Sequence, residues 1–166
     1  MWQTVVCCLL NYSPMGSKHL FDTTTSYILC RRCGADLADT KHIINHLSPE
    51  ANIAINQTIF EQKDVAVQVF SNSLGIKFYS ISFSNTKCTA INNWQQNFTW
   101  YPGYAWKPCI CKQCGVHHGW VFEPIESIDF NPNQPSKKGF FVLKLAFLLN
   151  KKFADSLIVV PKSYMN

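Results

Sequence analysis

Two Cys-x-x-Cys-Gly motifs constrain the fold of this 166-residue chain more than any other feature of its sequence, at residues 30–34 and 111–115. In each motif the glycine lets the chain turn tightly while backbone amides point toward the sulfur atoms. One such motif alone is also compatible with a redox site or a disulfide, but two with the same spacing are typical of a tetrahedral zinc site. The sequence therefore predicts one structural zinc ion with four ligands from distant parts of the chain: Cys30, Cys33, Cys111 and Cys114.

The composition indicates a single globular domain without a nucleic-acid partner. Hydrophobic residues make up 47% of the chain and charged residues 15%, and its length lies in the usual range for one domain, about 100 to 200 residues. The formal charge of +5 falls to about +3 when four thiolates surround a zinc ion. The lysines are scattered, and the only arginines, Arg31 and Arg32, lie inside the first cysteine motif. Nucleic-acid-binding domains usually carry a clustered basic face, so we expect no such partner.

The first 25 residues are predicted to form a tail or a degenerate signal segment, and residues 26–166 the zinc domain. The apolar run at residues 5–10 is shorter than the core of a secretory signal, about 7 to 15 residues, and no basic residue precedes it. A second apolar run, residues 140–149, is interrupted by Lys144 and is too short to cross a bilayer. The sequence therefore predicts no membrane span.

Four further cysteines lie outside the two motifs. Cys7 and Cys8 are near the start of the chain, and Cys88 and Cys109 lie within the predicted domain. The latter two could form a disulfide if the protein is secreted, or remain buried thiols if it is not. The sequence does not distinguish these alternatives.

One short helix is expected in the domain, over residues 39–47. Three apolar residues at helical spacing follow an N-cap at Asp39 or Thr40. His42 and His46 lie four residues apart in this segment, but four cysteines already complete a structural zinc site. We therefore expect both histidines on the surface.

Strands are expected in most of the remaining domain. Residues 53–83 are predicted as an antiparallel pair joined by a loop at residues 72–75, with a bulge near Phe78, where the alternation of apolar residues changes phase. Residues 140–149 are predicted as a buried strand or short helix, and residues 153–161 as a final strand.

The stretch of residues 100–120 contains three of the five tryptophans: Trp100, Trp106 and Trp120. They flank a Pro-Gly turn and the second cysteine motif, and their spacing fits either core packing or a ligand cage. Indole walls that meet near a turn would hold a cation or a neutral ring. Because residues 97–122 contain no acidic side chain, a neutral ring is favoured. A ring of about eight heavy atoms is expected to bind with micromolar affinity.

The combination W-Y-P-G-Y-A-W, C-x-x-C and H-x-G-W-x-F, with C-x-x-C-G upstream, resembles the CULT domain, the thalidomide-binding zinc domain of cereblon and of stand-alone secreted and bacterial proteins. The resemblance covers about residues 26 to 160. It implies an all-β fold, a β-tent in which two antiparallel sheets are pinned by one zinc ion. It also implies a small-molecule binding module whose tri-tryptophan cage accepts neutral cyclic imides, such as glutarimides, or pyrimidine nucleosides.

The resemblance assigns roles to individual residues. The four motif cysteines correspond to the zinc ligands. The implied cage consists of Trp100, Trp106 and Trp120 as walls, Phe122 at the floor, and Asn72 and Phe98 at the rim. The loop that begins at Asn72 reads Asn-Ser-Leu-Gly and lacks the proline of the family's Asn-Pro-x-Gly. Phe98 stands where cereblon has a histidine whose backbone carbonyl accepts the imide N–H, so the backbone contact is retained while the rim becomes more apolar.

The resemblance also sets expectations about partners. The expected ligands are a cyclic imide or nucleoside, and modified protein C-termini that end in a cyclic imide. Cereblon carries a LON-like domain and a helical segment that dock it to a cullin ubiquitin ligase, so association with a ligase is expected only if an upstream region exists. The stand-alone members match the length of this chain better, which favours a secreted protein over a cytoplasmic or nuclear one.

Two alternatives remain. Methionine-R-sulfoxide reductases share the β-tent and its two cysteine pairs, but they need a catalytic cysteine late in the chain, and no cysteine follows Cys114. We therefore expect a binding protein rather than an enzyme. The other alternative is a structural zinc module for protein interaction, in which the tryptophans belong to the core.

Overall fold

Two antiparallel sheets and one short helix make up the part of the chain that the computed structural model describes, residues 26–128 and 135–157. The predicted all-β fold is thus confirmed. Cys7, Cys8 and the predicted N-terminal tail lie outside the described residues. None of the helices in this part of the chain has the length and hydrophobicity that a membrane span needs.

The small sheet has three strands in the order β11-β1-β2, where β1 is Tyr27–Cys30, β2 is Asp36–Asp39 and β11 is Leu148–Asn150. Each strand contributes buried side chains, among them Ile28 and Leu37. The first cysteine motif forms the turn between β1 and β2 and begins at Cys30, the last residue of β1. The small sheet therefore carries two of the four motif cysteines.

The large sheet has eight strands. They are β3 (Ile43–Ile44), β4 (Ile53–Ile59), β5 (Gln62–Ser71), β6 (Lys77–Phe83), β7 (Thr89–Ala90), β8 (Tyr104–Ile110), β9 (His117–Pro124) and β10 (Phe140–Lys144). Their order is β4-β5-β6-β10-β9-β8-β7, and β3 pairs with β6. The second cysteine motif connects β8 to β9, so β9 runs directly from that motif into the aromatic region.

Both faces of the large sheet are covered by packed side chains. Successive residues of β10 point to opposite faces and belong to different clusters. Phe141 and Leu143 belong to a core that includes Ile28 and other residues of the small sheet. Phe140 and Val142 point to the opposite face and pack in a second, aromatic cluster, against which all three tryptophans of residues 100–120 are packed. The tryptophans therefore lie on the face of the large sheet that the small sheet leaves free.

The helix predicted over residues 39–47 is wrong. Asp39 accepts a hydrogen bond from the Lys41 backbone N–H, 2.9 Å away, and caps a single 3₁₀ turn, Thr40–His42. The chain then enters β3, whose two isoleucines pack into different clusters on opposite faces. Over so few apolar residues, a helix and a strand have the same sequence pattern. The pairing of β3 with β6 shows that the segment is a strand.

The α-helix lies instead at the end of the described chain. Helix α1 is Lys151–Ser156, so the strand predicted over residues 153–161 is wrong at its start, and the rest of it lies outside the described residues. Asn150 caps the helix by accepting a hydrogen bond from the Phe153 backbone N–H at 3.2 Å. Lys151 and Asp155 add an ion pair of 3.0 Å one turn apart. Upstream, residues 140–150 form β10, a 3₁₀ turn and β11.

The strand pairing and the cysteine pairing test two further expectations from the sequence. The antiparallel pairing across the loop at residues 72–75 is confirmed, but residues 53–83 form three strands instead of two, because β4 also pairs with β5. No bulge interrupts the pairing of β5 with β6, in which Phe70 lies opposite Phe78. The phase changes because both faces of the sheet are covered, so Phe78 faces the aromatic cluster while Ile81 faces the other core. Cys88 and Cys109 form a disulfide, which decides the question that the sequence left open.

Candidate functional site

The four motif cysteines form one cluster that joins the two sheets. Their sulfur atoms all lie within 4.8 Å of one another. The Sγ atoms of Cys30 and Cys114 are 3.7 Å apart, and so are those of Cys33 and Cys111. A tetrahedral zinc ion with Zn–S bonds of about 2.3 Å would place its sulfur ligands about 3.8 Å apart. The cluster is therefore compatible with a structural zinc site.

The backbone of the two motifs is nearly the same. Gly34 and Gly115 have φ angles of 76° and 71°, and no atom outside their neighbours lies within 4 Å of the position of a Cβ. Glycine is thus required by its conformation and not by lack of space. Each glycine N–H donates to the carbonyl of the first cysteine of its motif, at 2.8 and 2.9 Å. Burial opposes ionisation of Cys111, but the backbone N–H groups of Cys114 and Gln113 lower its pKa to about 7.

An open cavity of about 890 Å³ lies on the aromatic face of the large sheet. All six residues predicted for the ligand cage line it: Asn72, Phe98, Trp100, Trp106, Trp120 and Phe122. The indoles come from the loop before β8, from β8 and from β9, and the pairing of β8 with β9 places Trp106 opposite Phe122. We call this cavity and the six residues the aromatic cage.

The walls of the aromatic cage are held by ring contacts. Trp100 and Trp120 meet edge to face with their centroids 4.6 Å apart, and Trp100 stacks on Phe70 at 4.3 Å. The Nε1–H of Trp106 donates to the Asn97 carbonyl at 2.9 Å. The floor, Phe122, is fully buried. Each indole is therefore fixed from behind, while the cavity keeps access to the ring surfaces.

A buried polar network supports the cage from below. The side chain of Gln68 accepts from the Ser48 backbone N–H at 2.6 Å and donates to the His46 carbonyl at 2.9 Å. Ser48 Oγ in turn donates to the Trp100 carbonyl. His46 is half-buried and stacks on Phe140 at 4.0 Å, and burial lowers its pKa. The expectation that His46 lies on the surface is therefore wrong.

Two loops form the mouth of the cage. Asn72 Oδ1 accepts hydrogen bonds from the backbone N–H groups of Leu74 and Ile76, at 3.0 and 2.9 Å. These bonds, with Gly75 at φ 76°, close the loop in the absence of a proline after Asn72. On the other side, Phe98 has a φ of 56° and is 96% exposed. The rim thus presents a bare aromatic ring beside the opening.

Comparison with known proteins gives one group of relatives. No protein-family model matches the chain. Cereblon of Drosophila melanogaster is 28% identical over 117 residues, 65% of this chain and 16% of the relative. Cereblon of Drosophila erecta is 26% identical over 113 residues, 63% and 16% of the two chains. Cereblon of Drosophila virilis reaches 52% identity over 29 residues, 18% and 4% of the two chains.

The chain is similar to cereblon. The matched region spans no more than 16% of the length of these curated relatives, so the similarity concerns one part of cereblon and not the whole protein. It suggests a cereblon-like binding domain.

The structure brings residues to the aromatic cage that sequence reasoning missed. Glu50, Phe78 and His117 also line the cavity. Glu50 lies outside the stretch of residues 97–122 whose lack of acidic side chains favoured a neutral ligand, so that reason does not hold in three dimensions. No sequence signal marks Glu50, whereas Phe78 could have been found from its place opposite Phe70 in the hairpin.

His117 connects the cage to a buried lysine. The Lys144 Nζ lies 3.3 Å from His117 Nδ1, and His117 Nε2 lies 2.7 Å from the Gly119 carbonyl. Because an ammonium only donates and a carbonyl only accepts, Nδ1 is the acceptor and Nε2 carries the proton. Burial, and then the charge of Lys144, lower the pKa of His117 and keep the imidazole neutral. Burial also lowers the pKa of Lys144.

Proposed function

We propose that this cereblon-like domain is a small-molecule binding module and not an enzyme. Its ligand would be a neutral cyclic imide, of the glutarimide and thalidomide type, or a pyrimidine nucleoside. The observation that carries the proposal is the convergence of three indoles and one buried phenylalanine on a single cavity: Trp100, Trp106, Trp120 and Phe122.

The geometry of the cage supports a flat or compact ring as the ligand. The ring contacts behind Trp100 and the hydrogen bond of Trp106 fix the walls before a ligand arrives, so little ordering is needed on binding. Apolar walls favour burial of ring carbons, and the polar edge of an imide would then face the rim of the cage. A ring of about eight heavy atoms, at roughly 0.3 to 1.5 kcal/mol per atom, would bind with micromolar affinity.

The proposal includes a zinc ion in the cysteine cluster. Zinc would be held by Cys30, Cys33, Cys111 and Cys114, whose sulfur spacing fits a tetrahedral site. Four thiolates leave no open position for a substrate, so the ion would serve structure and not catalysis. This agrees with a binding function for the cage.

Protein partners would enter through the same ring chemistry. A protein C-terminus that ends in a cyclic imide presents the ring that the cage is proposed to hold, with the polypeptide leaving past the exposed Phe98. Association with a ubiquitin ligase belongs to the whole of cereblon and is proposed for this protein only if a longer chain supplies the docking region.

Titration of the zinc-loaded protein with uridine, thalidomide and a peptide that ends in a cyclic imide tests the proposal. We expect quenching of tryptophan fluorescence at micromolar ligand, and a loss of affinity of about 30-fold or more for Trp106→Ala. Trp94→Phe is the matched control, because Trp94 packs against the other core. Unchanged fluorescence up to millimolar ligand, confirmed by calorimetry, would rule out the proposed function.

A further inference from the structure

A buried lysine stands behind two walls of the aromatic cage. Lys144 in β10 is 8% exposed. Its Nζ lies 5.6 Å from the ring centroid of Trp120 and 5.7 Å from that of Phe78. Both rings line the cavity, whereas Lys144 itself does not. The ammonium therefore approaches the rings from outside the space that a ligand would occupy.

The positive charge of Lys144 lies beside aromatic rings and an imidazole. Within residues 26–128 and 135–157, no ion pair involves Lys144. Its hydrogen-bond partner is the neutral imidazole of His117, and a third ring, that of Phe147, lies 4.6 Å from Nζ. The ammonium thus depends on ring faces and one imidazole for its stabilisation. The wall formed by Trp120 and Phe78 carries a net positive charge on its outer side.

This charge changes what the cage can bind. Aromatic walls attract cations through the negative faces of their rings, so three indoles alone would suit a quaternary ammonium as well as a neutral ring. The Trp120 centroid lies 5.6 Å from Lys144 Nζ, so a cation stacked on the opposite face of that ring would lie roughly 10 Å from the ammonium. Repulsion at that distance weakens binding on the order of tenfold.

Glu50 at the rim acts in the opposite direction but more weakly. Its carboxylate is exposed, so solvent and salt screen its attraction for a cation. Lys144 is buried, and its field is screened less. The balance therefore opposes cations inside the cage.

We propose that Lys144 is a specificity-determining residue, which makes the cage select anionic or carbonyl-rich rings and reject cationic ones. This inference rests on the proposed function and adds the charge of the ligand to it. It also replaces the sequence-based reason for a neutral ligand, the lack of nearby acidic residues, with a buried cation behind the wall.

The test compares ligands of like shape and different charge. The probes are dihydrouracil, a neutral cyclic imide; barbiturate, a ring of the same size that is an anion at neutral pH; and N-methylpyridinium, a flat cation. Dissociation constants are measured by calorimetry for the zinc-loaded wild-type protein and for Lys144→Gln and Lys144→Met. Lys144→Arg keeps the charge, and Lys63→Met removes an exposed lysine far from the cavity.

We expect both uncharged variants to weaken barbiturate about tenfold relative to dihydrouracil, and to strengthen N-methylpyridinium by a similar factor. Lys144→Arg and Lys63→Met should leave these ratios unchanged. Gln can still donate a hydrogen bond to His117, whereas Met cannot. If the affinity ratios change in Lys144→Met but not in Lys144→Gln, the effect comes from the hydrogen bond and the inference is overturned.

The remaining outcomes separate this inference from the proposed function. Wild-type protein that binds N-methylpyridinium as tightly as dihydrouracil overturns the inference even if neither uncharged variant folds. The inference is overturned, and the proposed function is retained, if wild-type protein binds dihydrouracil and folded Lys144→Gln has the same ratios of dissociation constants among the three probes. Wild-type protein that binds none of the probes, nor uridine or thalidomide, overturns both.

Discussion

The cysteine cluster and the aromatic cage are built in opposite ways. The cluster comes from two short motifs with nearly the same backbone, each with two sulfur atoms and a glycine of positive φ. The cage is assembled from several separate segments, which include Glu50, the loop after β5, β6 and the strands β8 and β9. A site made of local motifs depends on a few residues, whereas a site made of distant segments depends on the register of the sheet. We therefore expect loss of the cluster to affect the whole domain, and changes in the cage to act mainly on ligand binding.

Removal of zinc is the change with the largest expected effect. A strong chelator, or Cys33→Ser, should unfold the domain, because zinc would join the turn after β1 to the turn after β8 and the binding free energy becomes folding free energy. The loss should exceed about 5 kcal/mol, most of the stability of a small domain. Far-ultraviolet circular dichroism measures the loss, and zinc content is measured in parallel.

The disulfide supplies the control for this prediction. The double variant Cys88→Ser/Cys109→Ser removes a covalent link between residues 21 apart in the chain, and should cost about 2 to 4 kcal/mol without loss of bound zinc. A native spectrum that persists in the chelator, with the metal gone, would contradict the role given to the cluster.

Low pH is expected to destabilise the domain through a histidine that lies between the two sites. His118 lies on β9 between the cysteine cluster and the cage; it is 0% exposed, and its ring nitrogens have no hydrogen-bond partner among the described residues. Burial, followed by the charge of Lys144, lowers its pKa to about 4. Between about pH 6.5 and 4, His118 is therefore protonated in the unfolded chain and neutral in the folded chain. Stability should fall as pH decreases through this window, by roughly 3 kcal/mol in all.

Chemical denaturation of wild type and His118→Leu at several pH values measures this contribution. Protonation at low pH would remove the zinc ligands of both proteins, so only the difference between their pH profiles reports on His118. We expect the leucine variant to have the flatter profile and to match or exceed wild type at pH 7, since it removes two unpaired buried nitrogens. Parallel profiles would show that His118 is not the group that resists protonation.

The difference between the two sites also explains which site residues could be predicted from the sequence. The motif cysteines and the three indoles lie in motifs that can be recognised one residue at a time, and the structure brings the cysteines together in one cluster and the indoles to one cavity. Glu50 and Lys144 carry no such mark. Lys144 comes beside Trp120 only because Val142 pairs opposite Trp120 in the sheet, which turns residues 142 and 144 of β10 to the same face.

The errors in secondary structure have a related cause. Ile43 and Ile44 fit a helix or a strand until β6 is present to pair with them. The phase change near Phe78 imitates a bulge because the large sheet is buried on both faces, and a strand in such a sheet need not alternate between apolar and polar residues. Both errors arise from long-range pairing, which local periodicity does not contain.

The loop at the mouth of the cage allows the finest comparison, because one side chain there could serve the fold, the ligand or both. Asn72→Ala removes the acceptor for the N–H groups of Leu74 and Ile76 and should cost about 1 kcal/mol of stability. Asn72→Asp keeps an oxygen in that position and should retain the stability. Thermal unfolding and affinity for dihydrouracil are measured for both variants.

The pair of variants separates two roles that the structure combines. If Asn72 only shapes the loop, affinity should fall several-fold in Asn72→Ala and remain near wild type in Asn72→Asp. If its amide N–H₂ also donates to the ligand, Asn72→Asp should lose affinity while it keeps its stability, since a carboxylate has no hydrogen to donate. Equal stability and affinity in all three proteins would show that the loop closes without the side chain, through the Gly75 turn and the backbone bonds of residues 72–76.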